Sequence, residues 1–561
     1  MTLDVLPPGL VLILGALVLP MVPVAVRKAL ILVLPIVTGY LIWQIPDAVT
    51  LSAGFLDYQV EIVEGSRAGR LFATIFALMA FTGGLFAINQ ARTVELAGAF
   101  AYAGGAVGVA LAGDLITVFV FWEMMGIGST LVIWAAGTRQ AYRASIRYAL
   151  VHLAGGVVLM AGIIGHVAET GSIDFVALQA DSLPRILILI GFLVNAGAPP
   201  LSAWLPDSYP EASPSGTVFL SAFTTKTAVF VLLVAFPGEE ILIWVGGYMI
   251  FYGIIYALLE NDMRRILAYS IVNQVGFMVC GIGIGTEMAL NGAAAHAFTH
   301  IIYKALLLMS AGSVLYMTGK RKCTELGGLY QTMPITMVCG TIGALAISSF
   351  PFTSGFISKS MISQGAIDQH LTFVWFLLAA ASAGVFLHAG IKFPWFVFFQ
   401  KDSGLRPPEP PQNMRVAMYL FAALCIGLGI WPGPLYDLLP FPVSYEPYTG
   451  DHLVFQFQLL LFAGLAFFVM LPMMKRTETI SLDFDWFYRR FFRELAKQFT
   501  YQSSVTRDGL EAAGRRRLSR FVDQLYRHHG PQGILARTWP TGSTVLWVAI
   551  LLGVSVLMFY V

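Results

Sequence analysis

An all-α fold of many membrane-spanning helices is what this sequence predicts, and three observations predict it. The 561 residues are 57% hydrophobic and 12% charged, with a mean hydropathy of +0.74, where ordinary soluble domains carry about 25% charged residues. Apolar runs of about 20 residues, each able to cross roughly 30 Å of hydrocarbon as a helix, recur from one end of the chain to the other. The loops between the runs alternate in charge.

In chain order, about 16 candidate spans begin near Leu6, Leu30, Leu71, Leu96, Leu115, Ile146, Ile186, Val218, Ile241, Ile266, Leu290, Met337, Phe373, Val416, Leu453 and Thr544. The first follows Asp4 and the pair Pro7 and Pro8, without a basic leader or a small-residue cleavage site, so it reads as a retained span. With the N-terminus outside, Arg27/Lys28, Arg92, Arg139/Arg143, Arg264/Arg265, Lys320/Arg321/Lys322 and Lys401/Arg406 fall on the cytoplasmic side. Asp47, Asp57, Glu61, Glu64, Glu169, Asp174, Glu239, Glu240 and Asp451 fall on the other. The C-terminus is then outside too, and the cytoplasmic (inner) membrane of a bacterium is the expected location.

From Lys475 to about Arg537 the chain turns polar and basic. Trp486, Phe487, Tyr488, Phe491 and Phe492 interleave with Arg489, Arg490, Arg493 and Lys497 before a last apolar run from Thr544 to Val561. This pattern suits an amphipathic helix on the cytoplasmic membrane face or against a partner subunit. A solvated linker is the alternative. Cys280, Cys323, Cys339 and Cys425 are far apart with no metal or disulfide spacing, and a net charge of +2 implies no nucleic-acid partner. Cluster-ligand cysteines, a nucleotide-binding glycine pattern and a quinone motif are all missing, so no cofactor is expected.

Ionisable residues stand where they are expensive. A charge at the bilayer centre costs about 2.5 to 3.5 kcal/mol on insertion scales, yet Glu123 sits inside LITVFVFWEMMGIGSTLVIW and Lys226 inside VFLSAFTTKTAVFVLLVAF. His296, His300 and Lys304 recur at i, i+4 and i+8, on one helix face, and Lys359 follows the break SSFPFTSGFISK. Any one of these taken alone could be half of a structural ion pair. As a cluster they suit proton transfer through histidine, desolvated lysine and water. The HxxxH spacing lacks an adjacent glutamate and a third ligand, so no metal site is expected. Pro199 and Pro200 in LVNAGAPPLSAWLPDSYPEASPSG, and Pro351 in SSFPFTSGF, put helix breakers beside polar groups at comparable places in two halves of the chain. That is the pattern of broken helices lining an ion path and of inverted repeats; a packing kink is the alternative.

At these residues the chain resembles the antiporter-like membrane subunits of respiratory complex I, membrane-bound hydrogenases and Mrp-type sodium/proton antiporters, most of all the D subunit of the Mrp type. The motifs run from about Phe100 to Pro432: FWEMM at Phe121, AWLPDSYPEA at Ala203, LLENDMRRILAYSIVNQVGFM at Leu258, HAFTHIIYKALLL at His296, LGGLYQTMP at Leu326 and ALAISSFPFTSGFISK ending at Lys359. The resemblance implies a 14-helix core with inverted five-helix repeats and broken seventh and twelfth helices, followed by about two C-terminal spans. It divides the chain into N-terminal helices (1–94), a first half (95–240), a second half (241–400), C-terminal core helices (401–474), a basic amphipathic linker (475–541) and a final span (542–561).

The resemblance further implies that Glu123 is the acid of the fifth helix, Lys226 the lysine of the eighth, and Lys304 and Lys359 the continuation toward the exit. One departure stands out. The position 31 before Lys226, commonly a lysine paired with the fifth-helix glutamate, is Asn195, which cannot exchange a proton at neutral pH. Ser202 replaces a histidine of many relatives. Arg147 and His152 are the residues that would compensate. Three functions stay open: a subunit of a multisubunit cation/proton antiporter, with protons and sodium as cargo and other membrane subunits as partners; the pumping arm of a redox complex; or a non-conducting membrane scaffold.

Overall fold

The computed structural model describes residues 6–473 and 482–560, so Asp4 and the start of the basic segment at Lys475 lie outside the described residues. Two compact units are resolved, Met1–Asp485 and Trp486–Val561. Among the described residues, 13 helices are long and apolar enough to cross a membrane, and three shorter apolar helices, Pro8–Met21, Leu183–Ala196 and Pro334–Ile347, accompany them. Together they correspond one for one to the expected spans.

The first unit opens with α1 (Pro8–Val18) and α2 (Val24–Trp43), followed by a hairpin of β1 (Thr50–Phe55) and β2 (Tyr58–Glu64). The all-α expectation missed this hairpin. Tyr58, Val60 and Ile62 alternate with polar residues, a strand signal in a stretch too short and polar to span a membrane, and the irregularity in the pairing opposite Leu51 and Ser52 lets both Val60 and Val63 be buried. Next come α3 (Arg67–Ala87), α4 (Thr93–Leu111), α5 (Leu115–Trp134) and α6 (Arg139–Thr170). The seventh span is split into α7 (Leu183–Ala196) and the short α8 (Trp204–Ser208), with Pro199 and Pro200 in the gap. The eighth is split into α9 (Gly216–Leu220) and α10 (Thr224–Ala235). Then follow α11 (Ile241–Leu259), α12 (Met263–Ile284) and α13 (Glu287–Thr318), and a twelfth span split by Pro351 into α14 (Pro334–Ile347) and α15 (Ser354–Asp368). The unit ends with α16 (Thr372–Val385), which runs on as π-helical turns to Phe399, and α17 (Gln412–Ile430), α18 (Gly433–Tyr436) and α19 (Gly450–Met470).

Local chemistry sets these ends. The Asp114, Thr138, Asp262 and Thr286 side chains cap α5, α6, α12 and α13 by accepting from backbone N–H groups of the first turn. Gly171, Gly285 and Gly319 close α6, α12 and α13 in the left-handed region, at φ of 74, 77 and 68°.

The loops gather into two faces. On one, Arg27 donates to Thr93, Asn413 bridges to Gln90, Arg264 donates to the carbonyls of Pro210, Ala212 and Ser213, Arg321 pairs with Asp262 and Glu211, and Ser403 bonds Gly327. This is the basic face. On the other, the hairpin packs on the loop before α5, where the Glu61 N–H donates to Asp114, and Asp114 in turn pairs with Asp174 as an isolated bridge. Burial, with Asp174 and Asp114 beside it, pushes the Glu61 carboxyl above its ordinary range.

Helix α12 is buried along its whole apolar length, which is why it reads apolar on every side. Its crossing with α11 is made by glycines. A Cβ on Gly276 would stand 2.7 Å from the Gly246 carbonyl oxygen and 2.9 Å from the Ile250 nitrogen, backbone atoms that cannot swing away. Tyr252 and Tyr269, on these two helices, donate hydrogen bonds of 2.7 and 2.6 Å to Asp483, and Tyr256 donates to the Leu482 carbonyl. Leu482 and Asp483, the first described residues of the expected linker, thus belong to the first unit. In the second unit, α20 (Phe492–His529) has no buried side chain and α21 (Thr541–Tyr560) is an apolar span.

Gly276→Leu is expected to cost about 1–3 kcal/mol or more, seen as a lowered melting temperature of the purified protein. Gly427→Ala, with nothing within 4 Å of its added Cβ, should leave the melting temperature where it is. Glu61→Gln is expected to stabilise at neutral pH: a raised native carboxyl pKa means the folded state binds protons more readily, so the native protein gains on the variant as pH falls through that raised pKa. The gap in melting temperature should have closed below the ordinary carboxylate value of about 4.3.

Candidate functional site: a buried lysine and histidine axis

The surroundings of the buried lysines are tied to the breaks in the helices. Lys226, on α10, is fully buried and donates 2.6 Å to the carbonyl of Ser221, in the gap that splits the eighth span, and 3.1 Å to Thr225. Lys359, on α15, donates 2.8 Å to the carbonyl of Ile347, the last residue of α14, and its ammonium lies 4.8 Å from the centre of the Phe277 ring. Each lysine therefore satisfies a carbonyl left open at a helix C-terminus, where the helix dipole also favours a cation.

Between them runs α13, whose His296, His300 and Lys304 are all fully buried. His296 is held from both ring nitrogens, by Ser358 at 2.9 Å and by the Gln274 side-chain oxygen at 3.1 Å, which also accepts from Tyr303. Both nitrogens of His300 and the amine of Lys304 are buried without a hydrogen-bond partner among the described residues. His300 is within electrostatic reach of Lys226, Lys304 and Lys359, and Lys304 is within reach of Lys226 and Lys359. From Lys359 a cavity of about 300 Å³ leads past Ser360, Ser363 and Gln364 to Asp451 and His452 at the start of α19. Gln456 of that helix donates to the Ser348 carbonyl in the twelfth-span gap.

The first half is built differently. Asn195, the last polar residue of α7, faces His152 of α6 at 2.7 Å, and the imidazole packs between Tyr148 and Trp204. The Tyr148 hydroxyl donates to Ser129 and meets Thr224, which also bonds Tyr102, so a chain of hydroxyls leads from Tyr148, on which the His152 ring packs, to the first turn of α10. Arg147 is a turn away from His152 on α6, but it closes a two-pronged ion pair with Asp207 of α8 at 2.7 and 2.9 Å. Of the two residues expected to compensate for Asn195, neither bonds the Glu123 carboxylate. Glu123 is half-buried and forms no hydrogen bond or ion pair among the described residues. Its Oε1 occupies the place that a Cβ on Gly156 would take, and the cavity beside it, about 200 Å³, is lined by His152 and Asn195.

Pro199, Pro200 and Pro351 lie in the gaps of the seventh and twelfth spans. The gap in the eighth span escaped the sequence reading because LSAFTT carries neither Pro nor Gly. Tyr148, Thr224, Gln274, Ser358 and Gln456 were also missed; polar side chains in apolar runs were the available signal. Lys392 and His388, in the run HAGIKFPWFVFF, satisfy the same test of charge in an apolar span that singled out Glu123.

A membrane bundle with broken helices and a line of buried lysines and histidines is an arrangement suited to moving ions. Residues 112–385 match the family described as NADH:quinone oxidoreductase/Mrp antiporter, transmembrane, and the chain is an antiporter-like membrane subunit of this Mrp and complex I type. It is 28% identical over 401 residues to the D subunit of the Na(+)/H(+) antiporter of Alkalihalophilus pseudofirmus, covering 65% of this chain and 80% of that one. It is 30% identical to the A/B subunit of a probable K(+)/H(+) antiporter of Rhizobium meliloti over 59% of this chain, a match that spans only 36% of the relative's length. In fold it resembles a chain of the Mrp complex from Dietzia sp. DQ12-45-1b, with a TM-score of 0.68, 20% identity, and 77% of this chain and 95% of that chain covered. It also resembles a chain of the archaeal membrane-bound sulfane sulfur reductase, with a TM-score of 0.72, 24% identity, and 98% and 99% covered.

Removing Arg147 strips its cation from a carboxylate with 4% side-chain exposure. Arg147→Met is expected to cost about 3–5 kcal/mol, read as a lowered melting temperature, and adding Asp207→Asn should restore part of the loss.

Proposed function

We propose that this chain is the proton-translocating membrane subunit of a multisubunit sodium/proton antiporter. The observation that carries the reading is the run of buried groups from Lys226 through His300 and Lys304 to Lys359, in which His300 and Lys304 are within electrostatic reach of both end lysines, and which opens at the cavity holding Asp451 and His452. A buried amine or imidazole without a protein partner is costly, and water or a mobile proton relieves that cost. Two ammonium groups in electrostatic reach repel, so a proton arriving at one site promotes release from the next. The split helices supply carbonyls at the turning points of the path. The basic face is the cytoplasmic one, with both termini outside, by the loop charges. Leu150, Leu153, Val157 and Ile164, strongly exposed on the α6 face near Glu123, form an apolar surface suited to lipid or to a neighbouring membrane subunit.

A second reading, the proton-pumping arm of a redox complex, draws on one observation: the likeness to the sulfane sulfur reductase chain extends over nearly the whole length, including the region of α20 and α21.

In inverted vesicles holding the intact complex, sodium-dependent proton flux is expected, and Lys226→Ala or Lys359→Ala should each lower it by about 10²-fold or more. Flux that requires an electron donor would transfer the chain to the redox reading. Flux unchanged by both substitutions would leave a scaffold.

A further inference from the structure

Outside the axis described above, two buried titratable groups occur together in the π-helical stretch Phe386–Lys392 that continues α16. Lys392 donates to three carbonyls at the C-terminal end of α11, those of Ala257, Leu258 and Glu260, at 3.0, 2.6 and 2.6 Å. That end belongs to the basic face, where Glu260 also pairs with Arg265 at 3.2 Å. His388, one turn earlier, is fully buried. Its Nδ1 stands 2.8 Å from the Gly384 carbonyl, which can only accept, so Nδ1 carries the proton and Nε2 of the neutral ring is a base. Nε2 is buried with no partner among the described residues.

The same stretch packs on the gap of the twelfth span: a Cβ on Gly390 would collide with the Ser348 hydroxyl oxygen. His388 is consequently within electrostatic reach of Lys304 and Lys359 on one side and Lys392 on the other. Lys392 alone would satisfy the end of α11, and a histidine with one bonded and one bare nitrogen buries a polar atom that a phenylalanine would not. Single π-turns are the local distortion that functional sites commonly use to aim such side chains.

We propose that Lys392 and His388 form a second proton inlet, leading from the basic face to Lys304 without passing Lys226 and loading the second half of the axis while Lys226 loads the first, so that turnover needs both. The inference rests on the reading of this chain as a proton conductor. A neutral Lys392 amine takes a proton from the aqueous face. The N–H bond of the resulting ammonium breaks as the bond to His388 Nε2 forms, and the imidazolium passes that proton to the neutral amine of Lys304. No electrons change hands, and Nδ1 keeps its own proton throughout.

The test is proton flux in inverted vesicles holding the intact complex, with assembly checked on native gels. Lys392→Arg keeps the positive charge and the donors to the α11 carbonyls but does not release a proton at physiological pH; His388→Gln keeps a polar side chain without a proton-accepting nitrogen base. Both are expected to assemble normally and to lower flux at least about tenfold. Native flux in both, with flux abolished in Lys359→Ala, would overturn the inlet and leave the conduction reading standing. Native flux in all three would overturn both. Loss of assembly in both inlet variants would also overturn it, making the pair structural.

Discussion

The rest of the structure depends on one pairing, between lysine ammonium groups and the open carbonyls of helix C-termini. In an apolar bundle a broken helix leaves acceptors without donors, and a buried lysine brings donors without acceptors; each is costly alone. Lys226 with Ser221, Lys359 with Ile347, and Lys392 with the end of α11 join the two problems into one solution. A carbonyl, unlike a carboxylate, offers a dipole and no fixed countercharge. The amine is held in place yet keeps its capacity to lose a proton, which a tight ion pair would suppress.

That principle divides the two halves. In the second, titratable groups follow one another along α13 with few direct bonds between them, so the axis is positioned by packing and by its neighbours Ser358, Gln274 and Tyr303. In the first, a neutral amide at Asn195, a histidine and a set of hydroxyls replace the lysine of the resembling family, and the strong ion pair of the region, Arg147 with Asp207, ties α6 to the broken seventh span. Arg264, bonding carbonyls between α8 and α9, joins the halves at the basic face. The charges of Arg147 and the buried Asp207 in the first half are thus paired with each other, and Glu123 is left at its edge, next to an apolar surface.

How far the sequence reaches depends on what each signal measures. The spans were legible because twenty apolar residues in a row have few physical alternatives, and the breaks at Pro199, Pro200 and Pro351 because proline lacks the N–H a helix needs. The break before Lys226 was not, since it is imposed by packing and by the lysine's demand for a carbonyl. Arg147 illustrates the opposite failure. Its residue type and place on α6 suggest a partner for Glu123, yet α6 meets Glu123 at Gly156, nine residues on and on the opposite face, and Asp207 on a short helix beyond the proline gap takes the guanidinium. The β-hairpin was hidden in a loop read for charge alone.

By itself the sequence determined the membrane solvent, the number and order of spans and the residues whose charge had to be accommodated, because hydropathy and insertion cost are properties of single segments. Only the tertiary structure decided which carbonyl each lysine meets, that His300 and Lys304 bond to none of the described residues, that Glu123 finds no cation among them, and that Lys392 and His388 join the basic face to the axis. Those outcomes depend on distances between helices far apart in the chain, and hydrogen bonding, which falls off within an ångström, is set by packing that no local pattern encodes.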